Sequence, residues 1–402
     1  MEKIVVIGAG QAGSSLVAKL RNSGFEGAIT LIGEEPVPPY QRPPLSKKYL
    51  LGEIELERLF LRPESFYAEN GIDLHLSQTA VSIDRAARKV TADGAIYDYD
   101  HLVLATGSVP RQLPAAIGGD LGNVFTMRGL KDADAMAPQF SAGRNLLVVG
   151  GGYIGLEAAA VAAKKGLHVT LVEMADRILQ RVASPETSNY FRELHNRHGV
   201  NIMERAGLDC LIGSTNVEAA RLADGTELPV DFAIVGIGIT PATDLAEAAG
   251  LTIDNGIAVD AQGRTSDPHI WAAGDCASFP HDGGRLRLES VPNAIDMAEC
   301  VAENIMGAGK TYVPQPWFWS DQYDVKLQIA GLNAGYTQVV TRKGDKEGAA
   351  SFWYFKGERL LAVDAANDPR AYMIGKRLID AGKTCDPDVI TNPEIDLKSL
   401  LK

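Results

Sequence analysis

A short apolar run, Ile4 to Ile7, leads into Gly8-Ala9-Gly10-Gln11-Ala12-Gly13, then a helical stretch to Asn22 and a second apolar run from Ile29 to Ile32. Apolar runs of this length bounded by glycine read as buried strands, and the whole as a βαβ unit. The same grammar returns 142 residues later, with Leu146 to Val149, Gly150-Gly151-Gly152-Tyr153-Ile154-Gly155, an alanine-rich helix to about Lys165 and a strand from His168 to Val172. Between them Leu102 to Gly107 predicts a buried strand, and Pro110 and Pro114 mark a boundary near residue 111. Ala233 to Gly238 before Pro241 closes the inserted unit, and Ile270 to Asp275 supplies one more strand to the first. After Pro314 the pattern shifts to alternating strands at 325–329, 350–355 and 360–363 and a helix from about Pro369 to Ala381.

The predicted fold class is therefore α/β, with two Rossmann-like dinucleotide-binding domains and a small C-terminal α+β domain. Residues 1–111 with 240–313 form the first domain, 112–239 the second and 314–402 the third. In such units the first glycine makes the strand-to-helix turn, the second admits the pyrophosphate and the third lets helix and strand pack closely. The helix N-terminus then receives the phosphates. Each fingerprint has an acid at the end of the following strand. Glu34 stands 21 residues after Gly13, with Glu35 as its competitor, and Glu173 stands 18 after Gly155. Such a carboxylate bonds ribose hydroxyls and repels a 2'-phosphate, so Glu173 points to NADH over NADPH. Two complete sites call for two nucleotides. A tightly held FAD at Gly8, Gly10, Ala12 and Gly13 and a mobile NAD(H) at Gly150, Gly152, Tyr153, Ile154 and Gly155, with Gly238 at a neighbouring strand end, is the economical reading, since flavin accepts a hydride and releases electrons singly.

Composition narrows the chemistry. The 41 glycines suit nucleotide sites, and a net charge of -12 excludes a nucleic-acid partner, which needs a dominant basic surface. No apolar run reaches 18 residues and a strand follows Met1-Glu2-Lys3 at once, so neither a membrane span nor a signal peptide is expected and the location is cytoplasmic. The four cysteines, Cys210, Cys276, Cys300 and Cys385, form no close pair, so no redox disulfide and no metal site is expected.

Arg42-Pro43-Pro44-Leu45-Ser46-Lys47, Gly150 to Glu157, Thr265-Ser266-Asp267-Pro268, Gly274-Asp275-Cys276, Glu289 to Ala294 and Pro316-Trp317-Phe318-Trp319-Ser320-Asp321-Gln322 together resemble the FAD-dependent ferredoxin reductases of glutathione-reductase-like fold, over nearly the whole chain. The resemblance implies FAD contacts at Ala12, Glu34, Lys47, Val81, Arg128, Asp275 and Val291. It implies that Lys47 and Glu157 act at the reacting flavin edge, where a lysine favours negative charge developing on the ring. It also suggests Glu289 as a polar contact near the nicotinamide and Trp319, with Trp317 on the same side of a strand, as a cover over the flavin. Without the resemblance, Lys47 reads as a surface charge on a helix begun at Pro44, and the tryptophans as core.

The function so implied is NADH-dependent reduction of a 2Fe-2S ferredoxin that feeds a haem-thiolate monooxygenase. Alternatives are the reductase component of an aromatic-ring dioxygenase system, or an NADH-binding signalling flavoprotein resembling apoptosis-inducing factor. A disulfide reductase needs a cysteine pair against the flavin, and no cysteine precedes Cys210. Because the resemblance implies an acidic ferredoxin, a local basic patch is expected, with Arg62, Arg285 and Arg287 as candidates.

Overall fold

The computed structural model describes residues 1–401; Lys402, the last residue of the expected third domain, lies outside them. The chain forms two compact units, one of Met1–Gln41, Glu55–Val109 and Ile239–Pro316, the other of Arg42–Ile54, Pro110–Gly238 and the chain from Trp317 onward.

In the first unit a five-stranded parallel sheet runs in the order Ile270–Ala272, His101–Leu104, Lys3–Ile7, Ala28–Ile32, Ile72–His75. Its central strands are apolar along their length because both faces are covered, as parallel sheets require. Val6, Leu31 and Leu102 to Leu104 are fully buried, each contributing about 1.5–3 kcal/mol of transfer free energy. The helix Gln11–Asn22 packs against the helix Val291–Ile305. A three-stranded antiparallel sheet, Ala80–Asp84, Lys89–Ala92 and Ala95–Asp98, completes the part that concerns the site.

The second unit repeats the design. Its parallel sheet has the order Asn201–Glu204, His168–Glu173, Asn145–Val149, Phe232–Val235, Val124–Phe125. An antiparallel sheet, Trp317–Gln322, Val325–Gly331, Arg359–Ala366, Ala350–Lys356, Gln338–Lys343, carries the helix Pro369–Asp380. Leu50, Leu156, Phe191, Val325, Leu327 and Ala366 belong to one apolar core. That shared core joins the C-terminal sheet to the second dinucleotide-binding sheet.

The α/β architecture with two dinucleotide-binding sheets and a C-terminal α+β part is as the pattern implies. Four details differ. The strand expected over 233–238 ends at Val235, and the chain turns at Gly238, which adopts φ +105°. The C-terminal sheet gains the strand Gln338–Lys343, whose alternation is masked by its polar residues. Pro44 does not open a regular helix: Leu45–Tyr49 is a single wide turn, interrupted at Lys47 (φ -132°, ψ -108°). The segment 42–54, assigned from sequence to the first domain, lies with the second unit.

Candidate functional site

The two fingerprints are built alike to the ångström. A methyl group at Gly8 would fall 2.1 Å from the Ala105 carbonyl oxygen, and one at Gly150 2.4 Å from that of Gly236. At Gly13 and Gly155 it would fall 2.1 Å from the carbonyl oxygens of Gly8 and Gly150 respectively. These four positions admit no side chain. Gly10 and Gly152, in contrast, have nothing within 4 Å of that position, although each caps a twelve-residue helix without a side-chain hydrogen bond or an acidic residue in the first turn. The middle glycine thus leaves space open in front of the helix, and the free first-turn N–H groups have the chemistry that suits a pyrophosphate. Ile154, in the first turn of the same helix, is 44% exposed.

Around the first fingerprint, Gly33 abuts Ala9 and Gly274 abuts Ala12 and Ala294. This brings Glu34, Asp275 and the helix opened by Val291 to the rim of the cradle. Asp275 accepts a hydrogen bond from the Ser108 hydroxyl (2.9 Å), and Glu35 accepts one from Tyr40 (2.6 Å) while Glu34 is exposed. Glu289 pairs with Arg287 at 2.6 Å. Val81 is 58% exposed on its antiparallel strand. In the second unit, Glu173 accepts hydrogen bonds from the backbone N–H of Gly151 (2.7 Å) and of Ala175 (2.8 Å), which pins the carboxylate at the fingerprint loop. Gly238 lies farther along the next strand's exit, its carbonyl accepting from Arg111 N–H at 3.0 Å. The Arg128 N–H donates to Asp132 (2.8 Å) and its carbonyl accepts from Arg42 (2.9 Å).

Lys47 and Glu157, separated by 110 residues in sequence, form an ion pair at 2.7 Å. The helix Tyr153–Lys164 carries Glu157 into the interior, where it is 2% exposed, and the interrupted turn at Lys47 aims the ammonium at it. Lys47 also donates to the Pro43 carbonyl at 3.2 Å. The hydroxyls of Ser46 (3.1 Å) and Ser320 (2.8 Å) complete the carboxylate's shell. Burial pushes the Glu157 carboxyl above its ordinary range, and the Lys47 ammonium opposes that shift. Such a carboxylate responds strongly to any change in the charge of its neighbour. Ser320 lies on the strand face opposite to the stacked pair Trp317 and Trp319, whose ring centres are 5.5 Å apart.

The model of the pyridine nucleotide-disulphide oxidoreductase family matches residues 2–298, and the model of the reductase C-terminal family matches residues 317–401. The chain belongs to this oxidoreductase family. Within it, the chain is 43% identical to a ferredoxin--NAD(P)(+) reductase from Sphingomonas sp., over 99% of this chain and 97% of that protein. It superposes with a TM-score of 0.96 and 40% identity on the reductase in the covalent putidaredoxin reductase–putidaredoxin complex, covering 100% of this chain and 98% of that one. The ferredoxin reductase for the CYP199A2 system from Rhodopseudomonas palustris matches with a TM-score of 0.95 and 40% identity, over 99% of both chains.

For an oxidoreductase of this family the cysteines are unhelpful to thiol chemistry. Cys276, Cys300 and Cys385 are buried, Cys210 half-buried, and all four are unpaired. Burial raises the thiols of Cys276 and Cys300 and brings that of Cys385 to about 11, so their reactive thiolate forms are suppressed. Among the described residues no group of three His, Cys, Asp or Glu side chains is placed to hold a metal, and no helix is long and apolar enough to cross a membrane. The arginines read as a docking patch are fastened within the first unit. Arg285 bonds the carbonyls of Ser278 and Val259, Arg287 is paired with Glu289, and Arg62 donates to the Ser14 hydroxyl and lies over the Phe66 ring. Arg287, only 10% exposed, is therefore a poor candidate for steering a partner.

Proposed function

We propose that this chain is an NADH-dependent ferredoxin reductase that moves electrons from NADH through FAD to a 2Fe-2S ferredoxin. The observation that carries the reading is the pair of bare middle glycines, Gly10 and Gly152, in a chain with no paired cysteines. FAD, when bound, supplies the change from two-electron to one-electron transfer. Gly8, Gly10, Ala12 and Gly13 would hold its pyrophosphate, with Glu34 at the ribose, Asp275 at the ribityl hydroxyls and Val81 and Val291 at backbone contacts. The resemblance adds Lys47, Arg128 and Trp319 to the flavin set. Gly150, Gly152, Tyr153, Ile154, Gly155, Glu173 and Gly238 would hold NADH, with Glu289 beside the nicotinamide. Lys47 and Glu157 are the groups whose charges answer the charge that arrives with the hydride.

The likeness to a reductase of a CYP199A2 system supports a haem-thiolate monooxygenase as the downstream user, with a cytoplasmic location. The sequence-based division into 1–111 with 240–313, 112–239 and 314–402 is retained as the proposed domain scheme except over 42–54, which lies with the second unit. With purified protein, NADH oxidation should be slow with oxygen and rise by about two orders of magnitude or more when a 2Fe-2S ferredoxin is supplied, a range ordinary for enzymes. Equal rates with and without any ferredoxin of a broad panel would overturn the assignment.

Two further results are expected. Anaerobic titration with NADH or dithionite should consume two electrons per FAD, and alkylation of accessible thiols should leave ferredoxin reduction intact; uptake of four electrons would reveal a redox disulfide. NADH should be preferred over NADPH, because the pinned Glu173 carboxylate faces a 2'-phosphate with like charge. Glu173→Gln with an arginine introduced beside it should narrow the kcat/KM ratio by about tenfold or more, equivalent to about 1.4 kcal/mol; faster turnover of the natural enzyme with NADPH would reject the role.

A further inference from the structure

Glu157 is the end of a buried hydrogen-bond chain that the ion pair with Lys47 does not require. Ser320, which donates to Glu157 Oε1, accepts from Gln322 Nε2 at 3.2 Å. Gln322 Oε1 lies 2.8 Å from His195 Nε2, and His195 Nδ1 lies 3.1 Å from the Tyr323 hydroxyl. Ser320, Gln322 and His195 are fully buried. Tyr323 is half-buried and stacks on His198 at 3.7 Å. Ser320 and Gln322 share a strand face by the two-residue period, and the helix Pro185–Arg197 delivers His195 to its end.

Proton counting fixes the direction of every link. A carboxylate only accepts. Ser320 must therefore donate its single proton to Glu157 and accept from the Gln322 amide, whose oxygen must then receive Nε2–H of His195. In the neutral imidazole that burial favours, this leaves Nδ1 bare to accept from Tyr323. With a protonated Glu157 donating to Ser320, the buried Ser320 proton finds an acceptor in the chain only if the whole chain reverses, flipping the Gln322 amide and switching the His195 tautomer. The amide cannot pass a proton without losing its carbonyl, so the chain orients charge and does not conduct it.

We propose that His195 and Gln322 are positioning residues that hold Glu157 ionised toward Lys47, through the one-way chain Tyr323, His195, Gln322, Ser320. This rests on the reading of Lys47 and Glu157 given above. Lys47, from the 45–49 turn, is the charged group beside Glu157; Ser46 and Ser320 are its neutral partners. His198 and Tyr323 are the titratable groups beside His195.

Two measurements test it in the FAD-loaded enzyme. First, the nitrogen-15 spectrum of histidine-labelled protein should show His195 neutral with its proton on Nε2, the signal being assigned by its loss in His195→Gln. A proton on Nδ1 would overturn the proposal. Second, stopped-flow reduction of the flavin by NADH should have its limiting rate lowered about tenfold in His195→Leu and Gln322→Leu, roughly the loss of one hydrogen bond to a charged network. The acidic limb of that rate should move to higher pH, with NADH affinity unchanged. His195→Gln, which restores an N–H near the Nε2 position, should recover the rate. If Glu157→Gln is slow while both leucine variants match the natural enzyme, the chain is structural and the proposal fails. If Glu157→Gln is itself unimpaired, the assigned role of Glu157 fails and this inference with it. Should the leucine variants not fold, the tautomer in the natural enzyme decides.

Discussion

Gly152→Val should yield a folded, FAD-loaded protein that has lost NADH. The position has extended backbone (φ -79°, ψ 178°) and no atom within 4 Å of a new Cβ, so the fold has no reason to object. The isopropyl group would instead occupy the approach of the pyrophosphate to the helix N-terminus. Losing that close approach and its hydrogen bonds should raise KM for NADH by about 100-fold, or about 2.7 kcal/mol, two charge-assisted hydrogen bonds' worth. The control is Gly155→Val, three residues on. There Cβ meets the Gly150 carbonyl at 2.1 Å, and the expected result is loss of the folded unit itself. Far-ultraviolet circular dichroism, the flavin absorbance and the NADH titration separate the two outcomes. A Gly152→Val protein with normal KM would show that the second cradle does not receive NADH. Both variants misfolding alike would show that the middle glycine is also a packing residue.

Gly152 could be distinguished from Gly155 in the sequence only through the general logic of the motif, yet the logic was legible because it is local. Strand, turn and helix lie within twenty residues of one another, and each glycine's role follows from its place in the turn. Glu173 was legible for the same reason, being at the end of the next strand. Lys47 was different: on its own it reads as a surface charge, and only the resemblance of the Arg42 to Lys47 segment raised it. The structure explains why, since its partner Glu157 lies 110 residues away and the turn that aims it is broken at Lys47 itself. His195 and Gln322 carried no signal for the site. A buried histidine on an amphipathic helix looks like any core histidine, and Gln322 stands out in the sequence only as the end of the tryptophan segment. The candidate docking arginines show a related limit, since their local partners are not legible in sequence. Free and internally bonded charge are identical in sequence: Arg285, though exposed, bonds the Val259 carbonyl, and Arg287 is 10% exposed and paired with Glu289. The strand Gln338–Lys343 is not legible because an edge strand with polar residues, Gln338, Thr341, Arg342 and Lys343, breaks the apolar alternation.

His195 and Asp364 should set opposing acid responses in the second unit, visible when either is removed. Burial lowers His195 from 6.5 to about 4, so between those values the unfolded chain carries a proton that the native protein refuses. Stability therefore falls as pH drops through that window, by about 3 kcal/mol at its lower end. Asp364 behaves in the opposite sense. It is fully buried, accepts from Tyr354 and from Thr187 (2.9 Å), and has no hydrogen-bond partner for Oδ1 among the described residues. Burial raises it from 3.8 to about 6, so the native state holds a proton that the unfolded chain releases, and stability is lost as pH rises from about 4 through about 6. The magnitude is again about 3 kcal/mol. In the natural protein the two nearly cancel, and the remaining carboxylates set the common background. His195→Gln removes the first term, so relative to the natural protein it should gain about 3 kcal/mol on going from pH 7 to pH 4. Asp364→Asn removes the second and should lose about as much over the same interval. Urea midpoints of the FAD-loaded proteins at half-unit steps of pH give both differences, and the shared background drops out of each comparison. Variants whose midpoints run parallel to those of the natural protein from pH 7 to pH 4 would show that neither group titrates differently in the folded and unfolded chains.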